Sequence, residues 1–286
     1  MSGDESAHPE EASSRSRSWF THPLLLALIP AVTAVVVAII TINANRGSAP
    51  PPTQVSNGPD VTVRIDRDDD LYSDGWEVAF DRDLPNGSDA SLSEGSESLL
   101  QWALTRGAVD VGQSHLRMYV ENNSDTRLTI RQIRAIVEKR QPTLTQTLVR
   151  SPSAGANELV QLLFALDAGD VVDAAVPSQD RLLEPAGQYF TTKDITLDAG
   201  ETIDLKLTVT ARTCLCQYRF VLDILKANTH QEIEVRDETG DDFVITGPSA
   251  RYGAEWESGS LGCNKRGLFP VDSSGAIDCA RKAPNA

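Results

Sequence analysis

The chain has 286 residues and a formal net charge of −15, with 40% hydrophobic and 6% aromatic residues. That composition supports one globular domain with appendages. The acidity argues against nucleic acid and anionic lipid as main partners.

Residues 1–18 carry four acids against two arginines and almost no large apolar side chain, so a disordered tail is expected there. Residues 19–42 contain the stretch "PLLLALIPAVTAVVVAIITI", and no charge stands between Ser18 and Asn45. A helix needs roughly 20 apolar residues to cross a bilayer, and Pro30 is tolerated in such a span. The run exceeds the roughly 7–15-residue apolar core of a cleaved signal peptide. An uncleaved, single transmembrane helix, partnered by the bilayer, is therefore expected over 19–42. Arg15 and Arg17 precede it and only Arg46 closely follows it, while all four cysteines come after it. Positive charge at the first end and cysteines beyond the second predict a cytoplasmic N-terminus and an extracytoplasmic remainder. Residues 43–60, with Pro50 to Pro52, read as a Pro/Gly/Ser-rich linker.

From Val61 the apolar period becomes two. In "ETIDLKLTVTA", Ile203, Leu205, Leu207, Val209 and Ala211 alternate with polar residues, which places them on one face of a strand. Leu116, Met118 and Val120 alternate likewise, as do Ile233 and Val235. "ELVQLLFALD", 158–167, is apolar on both faces and reads as a central strand. The turns "ENNSDT", "LDAGE" and "DETGDD" carry the residues that hairpins need. "SESLLQWALTRG", 96–107, predicts one short helix stopping at Gly107 and covering an end of the domain. "RLTIRQIRAIVEKR", 127–140, reads as a strand for its β-branched content, with a helix as the alternative. Its apolar phase changes between Ile130 and Ile133, as at a β-bulge. About ten strands between Val61 and Thr246 predict a mainly β fold, an antiparallel two-sheet sandwich over 61–250, followed by a disulfide-pinned tail over 251–286.

"LRMYVENNSDTRLTIRQIRAIV" followed by "ITLDAGETIDLKLTV" resembles the immunoglobulin-like sandwich modules of bacterial surface proteins. The whole chain resembles single-pass membrane proteins of high-GC Gram-positive bacteria. The resemblance covers about sixty residues. It implies an immunoglobulin-like fold and an envelope location, and transfers no catalytic residue.

Four groups of residues remain as site candidates. "DRDDDLYSDGWE" places Asp66, Asp68, Asp70, Asp74 and Glu77 at positions 1, 3, 5, 9 and 12 of an EF-hand-like spacing. Leu71 stands where that loop needs glycine, and both flanks read as strands. A loose Ca²⁺ site is thus weighed against an acidic, solvated hairpin turn. Arg127, Arg131 and Arg134, with Lys139 and Arg140 close behind, form a basic run that either meets an anionic partner or pairs with neighbouring acidic strands. His115 and His230 read as surface histidines, and no glycine–x–serine–x–glycine elbow is present.

Cys214, Cys216, Cys263 and Cys279 predict disulfides. In an extended strand the α-carbons of Cys214 and Cys216 would lie about 6.6–7 Å apart, near the upper limit for a direct bond. Two tail-to-strand cross-links are therefore expected. The rival arrangement joins Cys263 to Cys279 and leaves the first pair reduced or strained. A non-enzymatic, membrane-anchored domain binding a partner protein or cell-envelope component is expected, with no cofactor. A Ca²⁺-stabilised surface module and an enzyme with a hidden site are the alternatives.

Overall fold

The computed structural model describes residues 55–58, 60–67, 75–84, 99–151, 161–178, 183–258, 263 and 268–280. The expected cytoplasmic tail, membrane helix and most of the linker lie outside these residues. Among the described residues no helix is long and apolar enough to cross a membrane.

The chain is mainly β, as its two-residue periodicity requires. One sheet has seven strands. In spatial order they are β1 (Val55–Gly58), β2 (Val61–Arg67), β5 (Gln113–Asn122), β13 (Thr202–Thr210), β8 (Gln161–Ala165), β10 (Ala175–Pro177) and β11 (Pro185–Gln188). The second sheet has eleven strands. It runs β12 (Ile195–Leu197), β6 (Leu128–Gln141), β14 (Leu215–Lys226), β16 (Phe243–Thr246), β4 (Val109–Val111), β3 (Trp76–Phe80), β7 (Thr147–Ser151), β17 (Ala254–Ser258) and β18 (Leu268–Pro270). Two more strands share its long members: β15 (Thr229–Val235) pairs with β14, and β9 (Val171–Asp173) pairs with β6.

The main core lies between β2, β5, β13 and β8 on one side and β6, β14, β15 and β12 on the other. Met118, Leu207, Phe164, Ile133, Phe220 and Leu222 are all inaccessible to solvent there. Phe220 meets Phe164 edge-on at 5.1 Å, and Tyr218 stacks on Phe243 at 5.4 Å. Each fully buried side chain of this kind contributes about 1.5–3 kcal/mol by leaving water. The second sheet runs on beyond this sandwich into a smaller core. There α1 (Leu99–Thr105) sets Leu100, Trp102 and Ala103 against Val78, Phe80, Val149 and Leu268. Gly107, at φ 86°, adopts the left-handed conformation that ends a helix cheaply.

The bulge between Ile130 and Ile133 is present. Gln132 faces Asp223 and Ile130 faces Ile224, so Arg131 is the extra residue. A second irregularity leaves Glu138 extra, between Val137 facing Tyr218 and Lys139 facing Gln217. The expected central strand is also found, with β8 lying between β13 and β10.

Other expectations need correction. The sheets are mixed, not purely antiparallel: β13 with β8, β16 with β4, and β17 with β7 run parallel. Among the described residues fifteen strands, not about ten, lie between Val61 and Thr246. Strands of three residues, such as β4, β9, β10 and β12, are too short to show alternation. The expected linker ends early, because β1 folds back on β2 by backbone pairing that needs no apolar pattern. None of the three turns read as hairpins joins strands that pair with each other: "DETGDD" links β15 to β16, which both pair with β14, and the other two cross between sheets. "ENNSDT" carries the chain from β5 to β6, and "LDAGE" from β12 to β13. A tight two-residue hairpin is at Ala227 and Asn228, both at positive φ, between β14 and β15.

Candidate functional site

The bulge at Arg131 swings one side chain of the basic run to the edge of the sandwich. There β9 pairs with β6, and two residues after its end β10 pairs with β8 in the other sheet. The segment 171–177 therefore closes the gap between the two sheets. Next to it is a half-open pocket of about 220 Å³, lined by Arg131, Gln132, Asp173, Ala174, Gln188, Phe190 and Thr191.

Asp173 is fixed from two sides. Gln132 donates its Nε2 to one carboxylate oxygen at 2.5 Å, and Gln188 donates its Nε2 to the other at 3.0 Å. Arg131 faces Asp194 at 3.3 Å and remains half exposed. Phe190 meets Tyr189 edge-on at 5.0 Å, and Lys193 lies over the Tyr189 ring at 5.3 Å. Val171 and Val176, 57% and 40% exposed, stand on the same two short strands. The result is a guanidinium, two carboxamides, an anchored carboxylate and an aromatic wall around one small opening. Ligand clefts for drug-sized molecules run about 300–1,000 Å³. A space of this size takes one side chain or one sugar unit.

The other candidates are distributed as follows. Arg127 pairs with Asp198 at 2.9 Å, Arg134 with Glu232 at 2.5 Å, and Arg140 with Asp170 at 3.2 Å. The arginines of the basic run are thus matched by acids on neighbouring strands and turns, with Arg131 the member that reaches the pocket. Of the acidic stretch, Asp66 lies in β2 and Glu77 in β3, which belong to different sheets. The stretch therefore crosses between sheets and is not a hairpin. Asp66 pairs with Arg64 at 3.1 Å. Asp68, Asp70 and Asp74 lie outside the described residues. Among the described residues no group of three or more His, Cys, Asp or Glu is placed to hold a metal ion. His115 contacts Thr208 at 3.3 Å, and the exposed His230 contacts Asp223 at 3.1 Å.

The cysteines pair as Cys214–Cys216 and Cys263–Cys279. The expected tail-to-strand cross-links are not formed. Strand β14 starts at Leu215, so Cys214 lies outside it, and the two α-carbons come to 5.3 Å. That is well within disulfide range. Arg140 directs Nη1 at both sulfurs, 3.6 Å from Cys214 and 3.5 Å from Cys216.

Sequence reasoning did not find Asp173, Gln188 or Phe190. They sit on strands or turns of three or four residues, where no periodicity marks them. The chain matches no family model and no curated protein.

Proposed function

We propose that the chain is a membrane-anchored, non-catalytic module of the cell envelope. Its immunoglobulin-like sandwich stands outside the membrane and presents the Arg131–Phe190 pocket to a partner protein or envelope component. The carrying observation is the pocket's make-up at the sandwich edge. Donors, acceptors and an aromatic ring converge there, and both oxygens of Asp173 already accept hydrogen bonds. Such a lining suits recognition of a polar group better than proton transfer. The uncharged run before Asn45 supports the anchor. Two facing sheets with sheet-crossing turns support the immunoglobulin-like assignment and the likeness to envelope proteins of high-GC Gram-positive bacteria.

The test is photo-cross-linking in intact cells, with a reactive side chain at Thr191 of the full-length protein. A discrete adduct is expected, abolished by Arg131→Glu combined with Phe190→Ala and absent when the probe stands at Asp83. An adduct insensitive to both substitutions would rule the pocket out as the contact.

A further inference from the structure

A disulfide between residues two apart adds little to chain topology. Its entropic contribution grows with the length of the loop it closes, and this loop is minimal. Cys216 is in any case held by β14, opposite Arg140 on one side and Ile245 on the other. Cys263–Cys279, by contrast, spans sixteen positions.

Arg140 is held in place around the Cys214–Cys216 sulfurs. Its Nη2 donates to the carbonyl oxygens of Leu166 at 2.8 Å and Gly169 at 2.6 Å, and its Nε meets Asp170 at 3.2 Å. The remaining Nη1 is left pointing at both sulfurs. A neutral disulfide gains little from a fixed cation, whereas a thiolate gains much. The Asp170 and Asp167 carboxylates share the Arg140 charge, and Nη1 is the part of it that faces the sulfurs.

The covering loop is latched by hydrogen bonds. Cys214 is 4% exposed and Cys216 fully buried, beneath the exposed Arg212 and Thr213. The Asp167 carboxylate accepts from the Arg212 and Thr213 amides at 2.7 and 3.0 Å and from the Thr213 hydroxyl at 2.6 Å. With the Gly247 amide donating to the Cys214 carbonyl at 2.7 Å, these bonds hold the segment that leads into Cys214.

We propose that Cys214–Cys216 is a redox-responsive disulfide, opened by an external dithiol, with Arg140 holding the thiolate that leaves. A thiolate of the dithiol attacks Cys214 Sγ and forms a new S–S bond. The Cys214–Cys216 bond breaks, and its electron pair leaves on Cys216 Sγ beside Arg140. The second thiol of the partner loses its proton and attacks the partner's own sulfur in the mixed disulfide. Cys214 leaves as a thiolate and takes up that proton. Two electrons pass to the pair, and the partner ends as a disulfide. A monothiol is disfavoured, because Cys216 stands close enough to expel it again.

The test uses the full-length protein in membranes, titrated with dithiothreitol or with glutathione at neutral pH. Free thiols are trapped with a maleimide and mapped by peptide mass, while tryptophan fluorescence reports the fold. Cys214–Cys216 is expected to open at about a tenfold lower dithiothreitol concentration than Cys263–Cys279, with the fold intact, and to resist glutathione. Asp167→Asn is expected to speed the opening. In the reduced protein, Arg140→Gln is expected to raise the pH midpoint of Cys216 alkylation by about one unit, and Arg140→Lys to restore part of it. Opening only on unfolding, or at the concentration that opens Cys263–Cys279, overturns the proposal on the wild-type protein alone. An unchanged pH midpoint in a folded Arg140→Gln variant overturns the role of Arg140.

Discussion

Asn122 donates its side-chain amide to the carbonyl oxygen of Leu197, 75 residues along the chain, at 3.1 Å. The same nitrogen also meets the carbonyls of Thr126 at 2.8 Å and Asp198 at 3.0 Å. Its oxygen accepts from the Ser124 amide and hydroxyl at 3.1 and 2.7 Å. One fully buried residue thus joins two of the turns that carry the chain between sheets. Gly200, at φ 74°, gives the second turn its left-handed corner, and its amide donates to the Asn122 carbonyl at 2.8 Å.

Asn122→Ala leaves the buried Leu197 carbonyl and the buried Ser124 amide without this partner. Each such loss costs about 1–3 kcal/mol when water cannot replace it. A destabilisation of about 3 kcal/mol is expected, read by urea unfolding of the protein. A loss within error of zero would show that water takes over the role.

Much of the sandwich was legible because long strands with one buried face must alternate. Leu116, Met118 and Val120 are all buried on the core side of β5. The phase slip at Arg131 was legible for the same reason, since an extra residue reverses which face is apolar. Sheet membership was not legible. A turn such as "ENNSDT" reads alike whether the next strand pairs alongside or crosses over, and the Asn122 contacts that decide it span distant residues. The parallel pairing of β17 with β7 likewise depends on backbone groups, which no side-chain pattern records. The pocket was legible only in Arg131.

Arg67 ties the sheets together a second time. Its Nη1 meets Asp110 at 2.5 Å, with Asp110 only 1% exposed on β4. Removing one partner of a buried pair leaves the other charge poorly compensated, at about 3–5 kcal/mol. Arg67 is partly exposed, so Arg67→Ala is expected near the lower end, about 3 kcal/mol. Adding Asp110→Asn should recover part of that loss in a denaturation cycle. A double variant no better than the single one would count against this account.

Glu238 gives a pH dependence. Burial, with the charges of Asp66 and Asp237, pushes its carboxyl above the ordinary value of 4.5, while Arg67 offsets part of the rise. A raised folded pKa means that ionised Glu238 costs stability at neutral pH. The cost fades as pH falls through the folded value and is gone below 4.5. Glu238→Gln is expected to raise Tm by a few degrees at neutral pH and to change nothing under strongly acidic conditions. A lowered Tm at neutral pH would contradict the assignment.

Gly247 leaves no room for a side chain. A Cβ there would sit 2.4 Å from the carbonyl carbon and oxygen of Arg212 and 2.8 Å from the Thr213 amide nitrogen. Those are backbone atoms of the loop over the cysteines, and Gly247 itself donates to the Cys214 carbonyl at 2.7 Å. Gly247→Ala is expected to cost about 1–3 kcal/mol by overpacking, seen as a lower urea midpoint. An unchanged midpoint would mean that the loop yields freely.

The tail after Arg251 is held by pairing and burial, since its disulfide closes only on itself. Strand β17 pairs with β7 from Ala254–Thr147 to Glu257–Arg150, and Arg150 meets Glu257 at 2.8 Å. Leu268 and Phe269 are inaccessible to solvent, Leu268 within the small core of Phe80 and Trp102. Leu268→Ala is therefore expected to cost about 2–4 kcal/mol by leaving a cavity. A protease site placed in the loop 237–242 separates the two arrangements of the cysteines. After cleavage the fragments should stay together in native buffer and part in denaturant without any reductant. Fragments that remain linked in denaturant would require a tail-to-strand bond and would overturn the pairing described here.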